Sequence, residues 1–321
     1  MTNAVFDYFR RLAAGFGRGW TSFWFTPSDP SVLSLIRLLI GAVVVYLHAT
    51  LSFDLVELFG AGGLLPAADI APLEAGTWSY LNYLSTPGEL WTVHLIGLIV
   101  CVLFMVGFWT RLTTVLALVV FLADVNRAPM ITGCTESIAA MLMCYLCLAP
   151  CGRRFSIDAR LAARSRTPES QSGVATNELS TTATIATRLI QIHLAMLVGV
   201  MAFSQLSGEV WWIGTGMWWL IARQESRLID LSWLYAWPKV IEFWTHAVVL
   251  FELCFATLIW VPLARPLLLA CGALVWTSLA LVTGDITFAI ALVIASLAFL
   301  SPNVLSDCCT PAADRPRQAA V

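Results

Sequence analysis

The residues of this chain that could do chemistry fall in three places. One is the stretch MAFSQLSGEVWWIGTG, positions 201 to 216, where a chargeless apolar run leads into Gln205, followed by Gly208, Glu209, Trp211 and Trp212. An amide has no useful proton affinity near neutral pH; it only donates and accepts hydrogen bonds. Gln205 could therefore meet a ligand head group or satisfy carbonyls freed at a helix end. The second place is the set Asp124, Asn126, Arg127, Cys134 and Glu136, charged and polar residues crowded between two apolar runs. Such groups beside an apolar bundle mark a pathway or binding site, or else an interfacial hairpin whose charges pair locally. The third is Arg37, about one turn into an apolar run. An arginine there must pair, face a cavity or snorkel to the headgroups, and its depth favours snorkelling.

The histidines, at 48, 94, 193 and 246, each stand alone, without the i, i+4 spacing of a helical metal site. Each is expected to be a hydrogen-bonded helix residue. His193 and Gln205 share one helix but lie about 18 Å apart along it, too far to touch one small substrate. Cys144, Cys147 and Cys151 fall on one helical face inside an apolar run and are expected to pack as small hydrophobes. No phosphate-binding glycine loop, serine-nucleophile elbow or zinc-protease helix motif occurs. No metal or resident cofactor is expected. The sole lysine is Lys239, an interface anchor, so no apolar run offers a lysine base.

The elements that must hold these residues follow from composition. Of 321 residues 59% are hydrophobic and 12% are Asp, Glu, Lys or Arg, with a mean hydropathy of +0.81. That is about half the charge of a soluble domain, and several apolar runs reach the roughly 20 helical residues that cross a hydrocarbon core. The fold expected is all-α, a polytopic bundle of eight spans at about 31–50, 89–108, 113–125, 136–150, 185–206, 244–261, 267–283 and 286–301. Residues 1–26 read as an amphipathic lead-in on the interface. Residues 27–301 form the membrane domain, with Asp29 or Ser31 capping the first span. The 151–184 loop is basic first, then rich in small polar residues that cannot sustain a core. A polar tail covers 302–321. With eight spans, the arginines of the lead-in, of the 151–188 segment, of two short links and of the tail share one side, which the positive-inside rule makes cytoplasmic. Both termini then lie inside, and the acidic 51–87 segment outside. A bacterial inner membrane suits this pattern. At a net charge of −2 there is no basic patch for nucleic acid.

Three stretches together resemble the HTTM family, the membrane domain shared with vitamin K-dependent gamma-glutamyl carboxylase. They are PSDPSVLSLIRLLIGAVVV (27–45) with FGAGGLLP (59–66), NRAPMITGCTESIAAMLMCYLCLAPCGRRFSIDA (126–159), and the Gln-Leu-x-Gly-x-x-Trp of 205–211. The likeness covers roughly 20–301 and implies a helical membrane bundle. In the carboxylase a lysine in the third motif is the base that deprotonates the hydroquinone; Gln205 stands there in this chain. The family histidine of the second motif is absent from TGCTESIA, and only about 20 residues follow the last span, where that enzyme continues into a lumenal domain. The resemblance with these departures implies a member without carboxylase activity. The reading is then a protein that binds a lipid or quinone-like molecule between its helices, with Gln205, Glu209 and Trp211 at the mouth of the pocket. The alternatives are a membrane enzyme using Glu136, Asp124 or Glu209 as a base, with Arg37 or Arg127 stabilising developing charge, and a small-molecule transporter. The partners expected are membrane lipids.

Overall fold

The computed structural model describes residues 2–66, 78–84, 86–165, 179–223 and 228–301, and every regular element among them is helical. The helices are α1 (Thr2–Phe25), α2 (Ser31–Thr50), α3 (Leu55–Phe59), α4 (Pro87–Val106), α5 (Thr110–Arg127), α6 (Cys134–Leu148), α7 (Ile157–Arg164), α8 (Thr181–Leu206), α9 (Glu209–Trp212), α10 (Gly216–Ile221), α11 (Pro238–Leu258), α12 (Arg265–Thr283) and α13 (Ile286–Ser296). The polar half of the 151–184 loop and the 302–321 tail lie largely or wholly outside the described residues.

Local chemistry sets several boundaries. Helix α4 starts on a full capping box: the Thr86 side chain accepts from the Glu89 amide, the Glu89 carboxylate from the Thr86 amide, and Pro87 occupies the first turn. The Asp29 carboxylate accepts from the Ser31 amide at the start of α2, which spans the range the apolar run indicates. Helix α11 starts at Pro238, six residues before the expected boundary of 244. Pro238 stands in its first turn, and Lys239 and Glu242 pair across one turn at 2.6 Å.

Five helices are long and apolar enough to cross a membrane: α2, α4, α8, α11 and α12. By length and composition, five of the eight expected spans qualify among the described residues. The three other expected spans are helical, but they differ for two physical reasons. Helix α5 carries Arg111, Asp124 and Arg127 within 18 residues. Helices α6 (15 residues) and α13 (11 residues, followed by a 3-10 turn at Leu297–Phe299) fall short of the roughly 20 residues needed to cross alone.

The short helices are the inner ones. Both α6 and α13 pack on α2 and α8 and on each other, and the α13 face of Ala291, Leu292 and Ala295 is fully buried. Helices α4 and α5 flank this centre on one side, α11 and α12 on the other. Across the α6–α13 contact the Thr135 and Thr287 hydroxyls meet at 3.0 Å. At the end where α2 and α8 begin, Ser28 and Ser180 exchange backbone hydrogen bonds, and the Thr184 hydroxyl donates to the Thr26 carbonyl. The expected amphipathic lead-in is helix α1, with Phe6, Phe9, Leu12, Phe16 and Trp20 exposed and only its end packed on α8.

Candidate functional site

The densest polar cluster inside the bundle lies where α2 and α5 end. His48 on α2 is 2% exposed, and its Nδ1 stands 2.6 Å from Asp124 Oδ2 on α5. Its Nε2 stands 3.1 Å from the His94 carbonyl on α4. A carbonyl cannot donate, so Nε2 carries a hydrogen and gives it to that oxygen. The Nδ1–Asp124 contact then needs one further proton, held by either partner. The His94 ring stacks on His48 with centroids 4.3 Å apart, and its Nε2 meets the Ser52 hydroxyl at 2.7 Å. Gly97 makes room for this: a Cβ there would sit 3.0 Å from His48 Nε2.

The His48–Asp124 pair forms one wall of a cavity of about 190 Å³ between α2, α5 and α6, with Thr132, Glu136, Phe121 and Val125 on the other walls. The site thus combines an apolar enclosure with one proton-sharing pair and a second carboxylate. Glu136 also closes the start of α6 by accepting from the Gly133 amide at 2.8 Å.

The other residues of the 124–136 set serve structure. The Asn126 amide donates to the Trp78 carbonyl at 2.9 Å. Arg127 is buried, donates to the Leu65 carbonyl and lies over the Phe59 ring at 5.2 Å. Together they tie Phe59 of α3, Leu65 and Trp78 to the end of α5. Cys134 is exposed.

Arg37 does not snorkel: it is fully buried at the opposite end of the bundle and donates to the Phe155 carbonyl. Its guanidinium lies over Gly107, whose left-handed backbone (φ 71°) ends α4; any Cβ there would collide with the guanidinium. Asp158 on α7 completes this corner. It accepts from the Trp109 amide (3.0 Å), the Thr110 amide (2.8 Å) and the Thr110 hydroxyl (2.6 Å). Partial burial alone would raise its carboxyl, but these bonds and the nearby Arg37 charge outweigh that and hold it below the usual carboxylate range. Two of the stretches that carry the family resemblance, around Arg37 and GRRFSIDA, therefore meet in space.

The third stretch goes elsewhere. Gln205 donates to Glu252 Oε1 on α11 at 3.2 Å. Glu209 is exposed at the start of α9, and the half-buried Trp211 ring covers Gly216. These three residues therefore do not form the mouth of the cavity that Asp124 and Glu136 line. His193 bonds the Tyr145 hydroxyl at 3.0 Å, and His246 meets the Trp212 carbonyl at 3.2 Å. Among the described residues no group of three or more metal-ligating side chains converges, and the resolved cysteines are unbridged.

Sequence reasoning missed the His48–Asp124–His94 cluster because its members come from three helices and from positions 46 and 76 residues apart. It also passed over Glu252, although a lone carboxylate inside VVLFELCF was a legible signal. Comparison with known protein families, with curated proteins and with solved structures returns no match for this chain.

Proposed function

We propose that this multi-pass membrane protein binds the head group of a quinone-like lipid in the cavity between α2, α5 and α6. The observation that carries this is the His48–Asp124 pair, 2.6 Å apart, on the wall of an otherwise largely apolar cavity. A quinone-like head group needs an apolar slot and one or two groups that exchange hydrogen bonds with its oxygens; both His48 nitrogens are engaged, so that exchange falls to the Asp124 carboxyl, which shares its proton with His48, and to the Glu136 carboxyl on the facing wall. The volume, about 190 Å³, is below the ~300–1,000 Å³ of sites that enclose a whole drug-sized ligand. It suits a head group whose tail stays among the helices or lipids.

The finer reading is of an HTTM-like protein in a bacterial inner membrane, with eight helices crossing or nearly crossing and both termini cytoplasmic. Its support is the sequence resemblance, the arginine distribution, and the helicity of all eight expected segments. With Gln205 bound to a carboxylate and not standing as a base, the proposal does not include vitamin K-dependent carboxylation.

The test is thermal stability in detergent with a short-chain ubiquinone analogue, with phosphatidylglycerol, or with neither. A ligand at a hundred times its Kd stabilises by about 2.7 kcal/mol. The quinone is expected to raise the wild-type Tm, and most of that rise is expected to vanish in Asp124→Asn and His48→Gln. An undiminished rise in both variants, or stabilisation by the phospholipid alone, refutes the proposal.

A further inference from the structure

Away from that cavity, a buried carboxyl on α11 meets a half-buried amide on α8. Glu252 is fully buried, and Gln205 Nε2 donates to its Oε1 at 3.2 Å. Glu252 Oε2 and Gln205 Oε1 are both inaccessible, and neither has a hydrogen-bond donor. With the carboxylate ionised, this leaves a buried charge and two buried acceptors without a partner, each costly in an apolar interior. Exchanging the amide oxygen and nitrogen of Gln205 does not help: two acceptor oxygens would then face each other.

No cation offsets the charge among the described residues. On α11 itself the nearest ionisable groups toward its start are His246, against the Trp212 carbonyl, and Glu242, paired with Lys239. On α8 the nearest ionisable side chain is His193, twelve positions from Gln205 and held by Tyr145. Helix α10 has none, α9 offers only the exposed Glu209, and α12 has Arg265 at its start and half-buried Cys271.

The placement adds a second argument. Helix α8 ends at Leu206, whereas α11 runs 14 residues from Glu252 back to Pro238, about 21 Å. The chain after α8 folds along that stretch: Met217 N donates to the Thr245 hydroxyl at 3.1 Å, and that hydroxyl donates to the Gly214 carbonyl at 3.0 Å. The last turn of α8, with its partial negative charge, thus lies beside Glu252 well inside the length of α11, where it opposes a second negative charge.

We propose that Glu252 and Gln205 form a proton-binding site within the bundle. Glu252 Oε2 binds one proton from solvent hydronium, releasing water, and keeps it while donating a hydrogen bond to Gln205 Oε1; Gln205 Nε2 donates to Glu252 Oε1. The result is a neutral cyclic acid–amide pair joining α8 to α11, with every facing acceptor satisfied.

Infrared spectroscopy of the purified protein, with and without 13C-labelled glutamate, tests this at neutral pH. The wild type is expected to show a carboxylic-acid C=O band that shifts with the glutamate label. The band is expected to disappear in Glu252→Gln and to move to higher frequency in Gln205→Leu, where the acid loses its partner. The labelled wild type decides the matter even if a variant fails to fold: absence of a glutamic-acid band overturns the proposal. A band that persists in Glu252→Gln belongs to another glutamate and overturns it as well. A band unmoved in Gln205→Leu refutes the pairing.

Discussion

Removing the Asp158 carboxylate tests how the Arg37 corner is held. Asp158 accepts three hydrogen bonds at 2.6–3.0 Å from the first residues of α5, so it acts as a helix cap supplied from a distant helix. Losing a cap costs about 0.5–2 kcal/mol, and hydrogen bonds to a charged group contribute about 1.5–3 kcal/mol when intact. Asp158 is half-exposed, so water partly replaces what is lost and the larger figure is discounted. Asp158→Ala should therefore cost about 2 kcal/mol. Asp158→Asn, which keeps one acceptor oxygen, should cost about half as much. At about 2 °C per kcal/mol for a chain of this size, the Tm in detergent should fall by about 4 °C and about 2 °C. The pH dependence has a fixed sign. The folded carboxyl titrates below its unfolded value of about 3.9, so its contribution is complete above that value and is lost as pH falls through the folded one. The gap between wild type and Asp158→Asn should thus close in acid. Differential scanning fluorimetry across pH reads both effects. An Asp158→Ala protein as stable as wild type, or a gap that widens in acid, would refute the assignment.

Two further outcomes are expected. Gly97→Leu should cost about 1–3 kcal/mol by overpacking and abolish quinone stabilisation, because a Cβ there already meets His48 Nε2 and Val120 Cγ1 at 3.0–3.1 Å; a Leu variant with wild-type Tm and ligand response would show that the α2–α4 approach is loose. A reporter active only in the cytoplasm should give a strong signal when inserted after Ser165 and none after Gly62, and the reverse pattern would invert the proposed orientation.

Sequence alone determined the helical membrane character and most helix positions. Long chargeless runs have few alternatives to helix in lipid, since every backbone polar group must be satisfied within its own segment. It therefore gave α2 at both ends and α8 at its far end, where apolar runs stop at polar or glycine-bearing stretches. Crossing number was less legible, because α6 and α13 are short and mostly apolar: hydropathy registers burial in protein and burial in lipid alike. Which polar residues meet was decided only by tertiary structure. Asp124 and Arg127 are three residues apart on one helix, yet one faces a cavity with His48 and the other anchors Leu65. Arg37, which depth alone would let reach the headgroups, is enclosed because Gly107 and Phe155 come to it from more than 60 residues away. Gln205 finds Glu252 for the same reason. Periodicity places a side chain on a face of its own helix, but the helix that covers that face is chosen by packing across the whole bundle.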